Sequence, residues 1–302
     1  MDPTPVIDVE RLVKRFGDFA AVDGLDLRVR AGEVHGFLGP NGAGKSTTIR
    51  VLLGLYRATS GRVRVLGLDP AHQAAAITRR VSYVPGEVTL WSNLTGQQVL
   101  DALAGLRGSR DLDAERRLVA DFALDTRKLV RTYSKGNRQK VILISAFAAR
   151  TELLVLDEPT SGLDPLMEEL FQRCVHEATA AGRTVLLSSH ILAEAEALCD
   201  GVTIIKDGRL VESGSLADMR HLAASDVSAR LPADQLPAAI EGLRSIGLTL
   251  PAATGQDLRV SVPRDHVPTV LALLAGIPAQ DITCTPARLE DLFLRHYEVT
   301  AR

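Results

Sequence analysis

The sequence predicts an α/β chain built on a parallel sheet, followed by a small α+β domain of ferredoxin-like order. Three observations predict this. A short apolar run, Val34–Leu38, ends in a Gly-rich loop that leads straight into a helical segment. Two further apolar runs, Leu153–Leu156 and Thr184–Ser188, have the continuous character of parallel strands covered on both faces. After about residue 222 the segments read strand, helix, strand, strand, helix, strand, which is the split βαβ order.

The elements follow in chain order. Val6–Val13 and Leu25–Val29 alternate like half-buried strands. Lys45–Tyr56 has helical spacing, and Val81–Val84 reads as another buried strand. Residues 89–150 change character and are dominated by helical segments such as Leu112–Ala123 and Gln139–Ala149. Met167–Ala181 supplies a helix between the two buried strands. Val202–Ile205 and Arg209–Val211 flank Asp207-Gly208, a strong hairpin signal. The second region comprises Val227–Leu231, Gln235–Ile246, Leu248–Leu250, Leu258–Val262, Asp265–Leu274 and Ile282–Thr285, closed by a helix over Leu289–Tyr297. The expected domains are therefore 1–220, with a helical part at about 89–150, and 221–302.

Composition sets the limits on function. The chain has 302 residues, 46% of them hydrophobic and 24% charged, which excludes global disorder and collagen-like folds. The 35 basic and 37 acidic residues give a net charge of −2, so bulk charge excludes a polycationic nucleic-acid binder. Residues 221–302 carry 7 basic and 9 acidic side chains, which leaves 28 of each in the first 220. Cys174, Cys199 and Cys284 lie far apart and show no metal-ligand spacing; they read as reduced thiols of a cytosolic protein. The acidic, Pro-rich start is unlike a signal peptide. The longest apolar stretch, Val267–Ala279, is interrupted by Pro268 and Pro278 and is shorter than the roughly 18–20 residues of a membrane span.

Chemistry enters at Gly39-Pro40-Asn41-Gly42-Ala43-Gly44-Lys45-Ser46, which matches G-x-x-x-x-G-K-[ST] in full between a strand and a helix that continues with Thr47. The glycines let backbone N–H groups converge on phosphate oxygens, and the new helix turns its positive end toward them. Lys45 is the candidate for the β- and γ-phosphates, and Ser46 for Mg²⁺. The strand Leu153–Leu156 ends in Asp157 and Glu158. Asp157 at its carboxyl edge is a candidate to hold Mg²⁺ through water, and Glu158 to polarise the attacking water as general base.

The run Asp157-Glu158-Pro159-Thr160-Ser161-Gly162-Leu163-Asp164 resembles the acidic strand and D-loop of ABC ATPases. Tyr133-Ser134-Lys135-Gly136-Asn137 resembles their signature motif, with Lys135 replacing a glycine of the usual form. Thr184 to His190 resembles the H-loop strand, and Phe16 sits where the family places an aromatic that stacks on adenine. The resemblance covers about residues 6–220 and implies an ABC-type P-loop NTPase fold, with a RecA-like core, an antiparallel β subdomain and a helical subdomain. It also implies that two nucleotide domains, identical or different, pack head to tail. The Ser134 hydroxyl and Gly136 amide of one then reach the γ-phosphate held by the other, with Lys135 adding positive charge near it. His190 is implied to touch the γ-phosphate and the attacking water. Ser134 and Asn137 also suit an ordinary helix cap, and a histidine at a strand end is often structural.

The resemblance further implies ATP and Mg²⁺ as cofactors and a membrane permease as partner, with no nucleic acid, at the cytoplasmic face of a bacterial membrane. The C-terminal part, ending in Pro286–Phe293, is similar to the accessory domain of drug-efflux subunits. The alternative is an ABC ATPase without a membrane partner, of the translation or repair type; a single P-loop and the absence of a heptad run weigh against it. One position departs from the family. Gly86 stands where a glutamine senses metal and water, and neighbouring Glu87 is expected to point away, leaving water to complete the shell. Trp91 lies near the family's permease-contact region, where core packing is an equal reading.

Overall fold

A computed structural model describes residues 5–222, 225–248 and 257–285. The first two strands, β1 (Ile7–Phe16) and β2 (Phe19–Val29), pair as an antiparallel hairpin whose last register pair is Phe16 with Phe19. They are longer than the alternation suggests, because bulges between Val9 and Leu12 break the period that a sequence pattern needs. After them come β3 (Val34–Leu38), α1 (Lys45–Leu52) and β4 (Ser60–Val65). The last returns beside β1 to complete a three-stranded sheet ordered β2-β1-β4. Its inner face, including Val9, Leu12, Leu27 and Val63, packs with Phe37, Ile49 and Leu52 in one buried core. The α1 helix stops four residues before its expected end at Tyr56, ahead of Gly54 in the left-handed region.

Then follow α2 (Pro70–Arg80), β5 (Val81–Val84) and the helices α3 (Gly96–Arg107), α4 (Leu112–Asp121) and α5 (Lys135–Phe147). Each helix has a readable start. Asp69 caps α2 with Pro70 just inside it, Thr95 and Gln98 form a capping box on α3, and Asp111 and Ser134 cap the other two. The α5 helix begins at Lys135, earlier than the Gln139 start the apolar spacing gave, because its first turn is polar.

The core sheet is completed by β6 (Leu153–Asp157), α6 (Pro165–Ala180), β7 (Thr184–Ser189), α7 (Leu192–Leu198), β8 (Gly201–Lys206) and β9 (Arg209–Ser215). Its order is β5-β6-β7-β3-β8-β9, and the first five strands run parallel. Strands β3, β6 and β7 are buried along their whole length, which is why they read as continuous apolar runs. The register places Asp157 beside Ser188 and Leu38 beside Ser189. The loops that leave β6, β7 and β3 therefore emerge side by side at the carboxyl edge, where open α/β sheets bind ligands.

The chain divides into two units, Met1–Gly214 and Ser215–Arg302. The second comprises α8 (Leu216–Leu222), β10 (Ser225–Arg230), α9 (Leu236–Ser245), β11 (Asp257–Val262), α10 (Val267–Ala275) and β12 (Gln280–Thr285). Its described strands form an antiparallel sheet ordered β11-β10-β12. Alternate residues Val227, Ala229, Leu258 and Val260 bury against Leu243 and Leu274 of the two helices. The described order fits the split βαβ pattern; the expected strand beyond Leu248, the closing helix and the Pro286–Phe293 motif lie outside the described residues. No helix among the described residues is long and apolar enough to cross a membrane.

Candidate active site

The loop between β3 and α1 wraps the start of the helix. Gly44 caps it at φ 104°, a conformation that L side chains rarely adopt, and a Cβ there would lie 2.6 Å from the Ala21 carbonyl. The loop thus needs glycine at this point for both backbone and space. It opens onto a cleft of about 750 Å³. Pro40, Asn41, Gly42, Gly44, Lys45, Ser46 and Thr47 line one side, and Asp157, Glu158, Ser161 and His190 line the other. Gly39 and Ala43 support the loop from behind; a Cβ on Gly39 would meet the Ile205 carbonyl at 2.4 Å.

Lys45 is the electrostatic centre. Its side chain is buried, and Nζ donates to the carbonyls of Gly39 at 2.6 Å and Pro40 at 3.2 Å. It also sits 3.3 Å from Glu158 Oε1. The other oxygen of Glu158 bonds Nδ1 of His190. Glu158 itself sits at φ 50°, with its N–H donating to the Ser188 carbonyl at 3.0 Å, so the backbone turns sharply as it leaves β6. Asp157 is buried and accepts the Ser188 hydroxyl at 2.8 Å. Tyr83, also in the lining, has its phenol pushed up to about 12, by burial first and then by the Asp157 charge. It stays a neutral donor at working pH. The arrangement sets a cation, a carboxylate and an imidazole in series beside a ring of backbone N–H groups. This is what a phosphoanhydride and an attacking water require.

The D-loop and signature segments meet within the one chain. Lys135 Nζ donates to Ser161 Oγ at 2.9 Å, and the buried Gln139 amide donates to the Pro159 carbonyl at 2.8 Å. Gly136 lies so close to the loop that a Cβ would stand 2.8 Å from the Gly162 carbonyl. Lys135 lines the cleft while bonded to its own D-loop, so its positive charge stays beside the site. Ser134 caps α5 by accepting the Asn137 N–H at 3.2 Å, which leaves its own O–H proton to donate. Asp164 caps α6 by accepting the Met167 N–H, with Leu163 just before it. Ser134, Gly136 and Asn137 do not line the cleft. Tyr133 is buried, its hydroxyl spent on the Asp125 carbonyl at 2.7 Å, so its side chain serves the helical part of the fold rather than a nucleotide.

Three further placements bear on what the sequence implies. Phe16 packs edge-on against Tyr56 at 5.4 Å under the Lys14 ammonium, while Phe19, across the hairpin turn, lines the cleft. Two aromatics flanking Gly17-Asp18 were visible in the sequence, but only the pairing register shows that they share one hairpin end. Glu87 lines the cleft together with Gly86. The strand alternation that would turn it away ends at Val84, where the chain bends. Trp91 is 48% exposed, so it is not a core residue.

A family model described as ABC transporter matches residues 22–161. Over 98% of this chain and 88% of the relative, the sequence is 36% identical to the daunorubicin/doxorubicin resistance ATP-binding protein of Streptomyces peucetius. The chain belongs to the ABC transporter ATP-binding family. A second relative of this ABC ATPase, Nod factor export ATP-binding protein I of Ralstonia nicotianae, is 34% identical over 97% of this chain and 94% of its own length. Among solved structures, the ATP-binding subunit of an ABC transporter is 33% identical, covers 71% of this chain and 92% of its own, and superposes with a TM-score of 0.67. This ABC ATPase thus carries the fold expected of it.

Proposed function

We propose that the chain is the ATP-hydrolysing subunit of a drug or antibiotic exporter. It works as a head-to-tail dimer on a separate membrane permease, at the cytoplasmic face of a bacterial membrane. The observation that carries the export reading is the near end-to-end likeness to a drug-resistance ATP-binding protein. The likeness to a Nod factor export protein has nearly the same extent. Chains so similar serve cargoes so different that cargo choice is assigned to the permease.

The residues divide the work as follows. Entering phosphates draw the Lys45 ammonium away from Glu158 and are cradled by the N–H groups of residues 41–47. Released from that ion pair, Glu158 takes the proton of the attacking water. His190, bonded to the second carboxylate oxygen, fixes its direction and stands next to the γ-phosphate position. Across the dimer, the Ser134 O–H and Gly136 N–H at the start of α5 meet the partner's γ-phosphate. Phe19 and Phe16 offer the aromatic faces for adenine at the hairpin end.

The donor set fits Mg²⁺ bound together with nucleotide. Ser46 and the Asp157 carboxylate face the same cleft, and no all-protein cluster of metal ligands exists among the described residues. Ser46 and Asp157 would hold the ion, which supplies neutralisation of phosphate charge. The test of the export reading is purification of the tagged chain from detergent-solubilised membranes of its native host. The expected result is an integral-membrane protein in stoichiometric amount. Recovery solely from the soluble fraction, without such a partner, contradicts it.

A further inference from the structure

We infer that Glu194 is a positioning residue for hydrolysis, holding the Glu158 and His190 segments in register from the far side of both. This rests on the roles just given to Glu158 and His190. Glu194 lies in the first turn of α7 and is partly buried. One of its carboxylate oxygens accepts the Thr160 hydroxyl, two residues after Glu158. The other accepts the Ser189 hydroxyl at 2.5 Å, in the residue next to His190. Ser189 Oγ in turn accepts the Ile191 N–H at 2.9 Å, closing the turn that leaves β7.

A single carboxylate therefore clamps the two chain segments that carry the general base and its histidine. The site needs such a clamp. Glu158 and His190 belong to loops leaving adjacent strands. Outside the strand ladder, a backbone bond from the Glu158 N–H to the Ser188 carbonyl ties these segments together. Glu158 also holds a left-handed φ, which persists only when its surroundings over-determine it. Charge-assisted bonds from two hydroxyls to one carboxylate supply that restraint without entering the cleft, whose lining does not include Glu194. An acid in the first turn is also favoured by the helix dipole. That effect alone would change stability and leave the geometry of hydrolysis intact.

The experiment is steady-state ATP hydrolysis by the full chain carrying Glu194→Ala, Glu194→Gln, Thr160→Val, Ser189→Ala or Glu158→Gln, with thermal unfolding of each. Glu194→Ala is expected to lower kcat about 10- to 100-fold while KM for ATP stays within about threefold, the size of loss usual when a supporting partner is removed. Glu194→Gln, which keeps one acceptor oxygen, is expected to lose less. Thr160→Val added to Glu194→Ala is expected to cost no more than Glu194→Ala alone, because the same bond is already gone. An unchanged kcat in Glu194→Ala, or a loss confined to KM, overturns the inference. If Glu194→Ala does not fold, wild-type kcat in both Thr160→Val and Ser189→Ala overturns it equally. Wild-type turnover by Glu158→Gln removes the general-base reading and this inference together. An inactive Glu158→Gln beside a fully active Glu194→Ala removes this inference alone.

Discussion

Gly86→Gln places an amide in the cleft at the position where the family carries one. Gly86 is not among the residues with positive φ, so glutamine meets no backbone strain there. A Cβ would stand 3.3 Å from the Asp157 carbonyl and 3.7 Å from Glu158 Cβ. The first contact is tight by a few tenths of an ångström, and the loop after β5 can yield that much at a cost of about 1 kcal/mol, the low end for added atoms in a packed site. For a domain of this size, that lowers Tm by about 2–4 °C. The gain is one hydrogen bond to the attacking water. At about 0.5–1.5 kcal/mol of differential stabilisation, kcat should rise about two- to tenfold. The assay is phosphate release by purified chain across a range of ATP with Mg²⁺ present, beside a thermal melt. Unchanged kcat in a variant that stays folded, with Tm no more than that much lower, would refute the reasoning, because it would mean that water already does all that the amide could do.

Other predictions follow from the same geometry. Lys135→Met and Ser161→Ala should each lower kcat by a few-fold, and the double variant should be no worse than either, since both break one bond. Additive losses with weakened dimerisation would return Lys135 to a role across the dimer. In the native chain Cys284 should be alkylated first at pH 8, as mass spectrometry of the peptides would show. It is exposed, whereas Cys174 and Cys199 are buried, and burial pushes both of their thiols up to about 12. Equal labelling of all three before unfolding would contradict the placement of β7 and its flanking helices.

Local chemistry made most of the site legible. The P-loop, the acidic end of β6 and the histidine after β7 are strong because each combines a burial pattern with an ion-binding residue at its end. What escaped notice was relational. Phe19, Gln139 and Glu194 are ordinary residues in their own segments, and they matter only through what the fold brings beside them. The β5-β6-β7-β3 order sets Thr160 and Ser189 within reach of one carboxylate, and no periodicity in the chain encodes that. Strand β4 and helix α2 were also missed. The first is short and largely exposed, and the second advertised itself only by Asp69-Pro70. In the second unit, the alternation in β10 and β11 was clear because one face is wholly buried.

The central claim is that Glu158 is the general base of a site whose remaining parts bind nucleotide without it. Glu158→Gln keeps the shape and a hydrogen-bonding amide but cannot take a proton. Single-turnover hydrolysis of radiolabelled ATP by this variant, with ATP binding measured alongside, tests the claim directly. The expected result is a rate about 10²- to 10⁴-fold below wild type with ATP affinity kept and ATP-bound dimers accumulating. A wild-type single-turnover rate would contradict it.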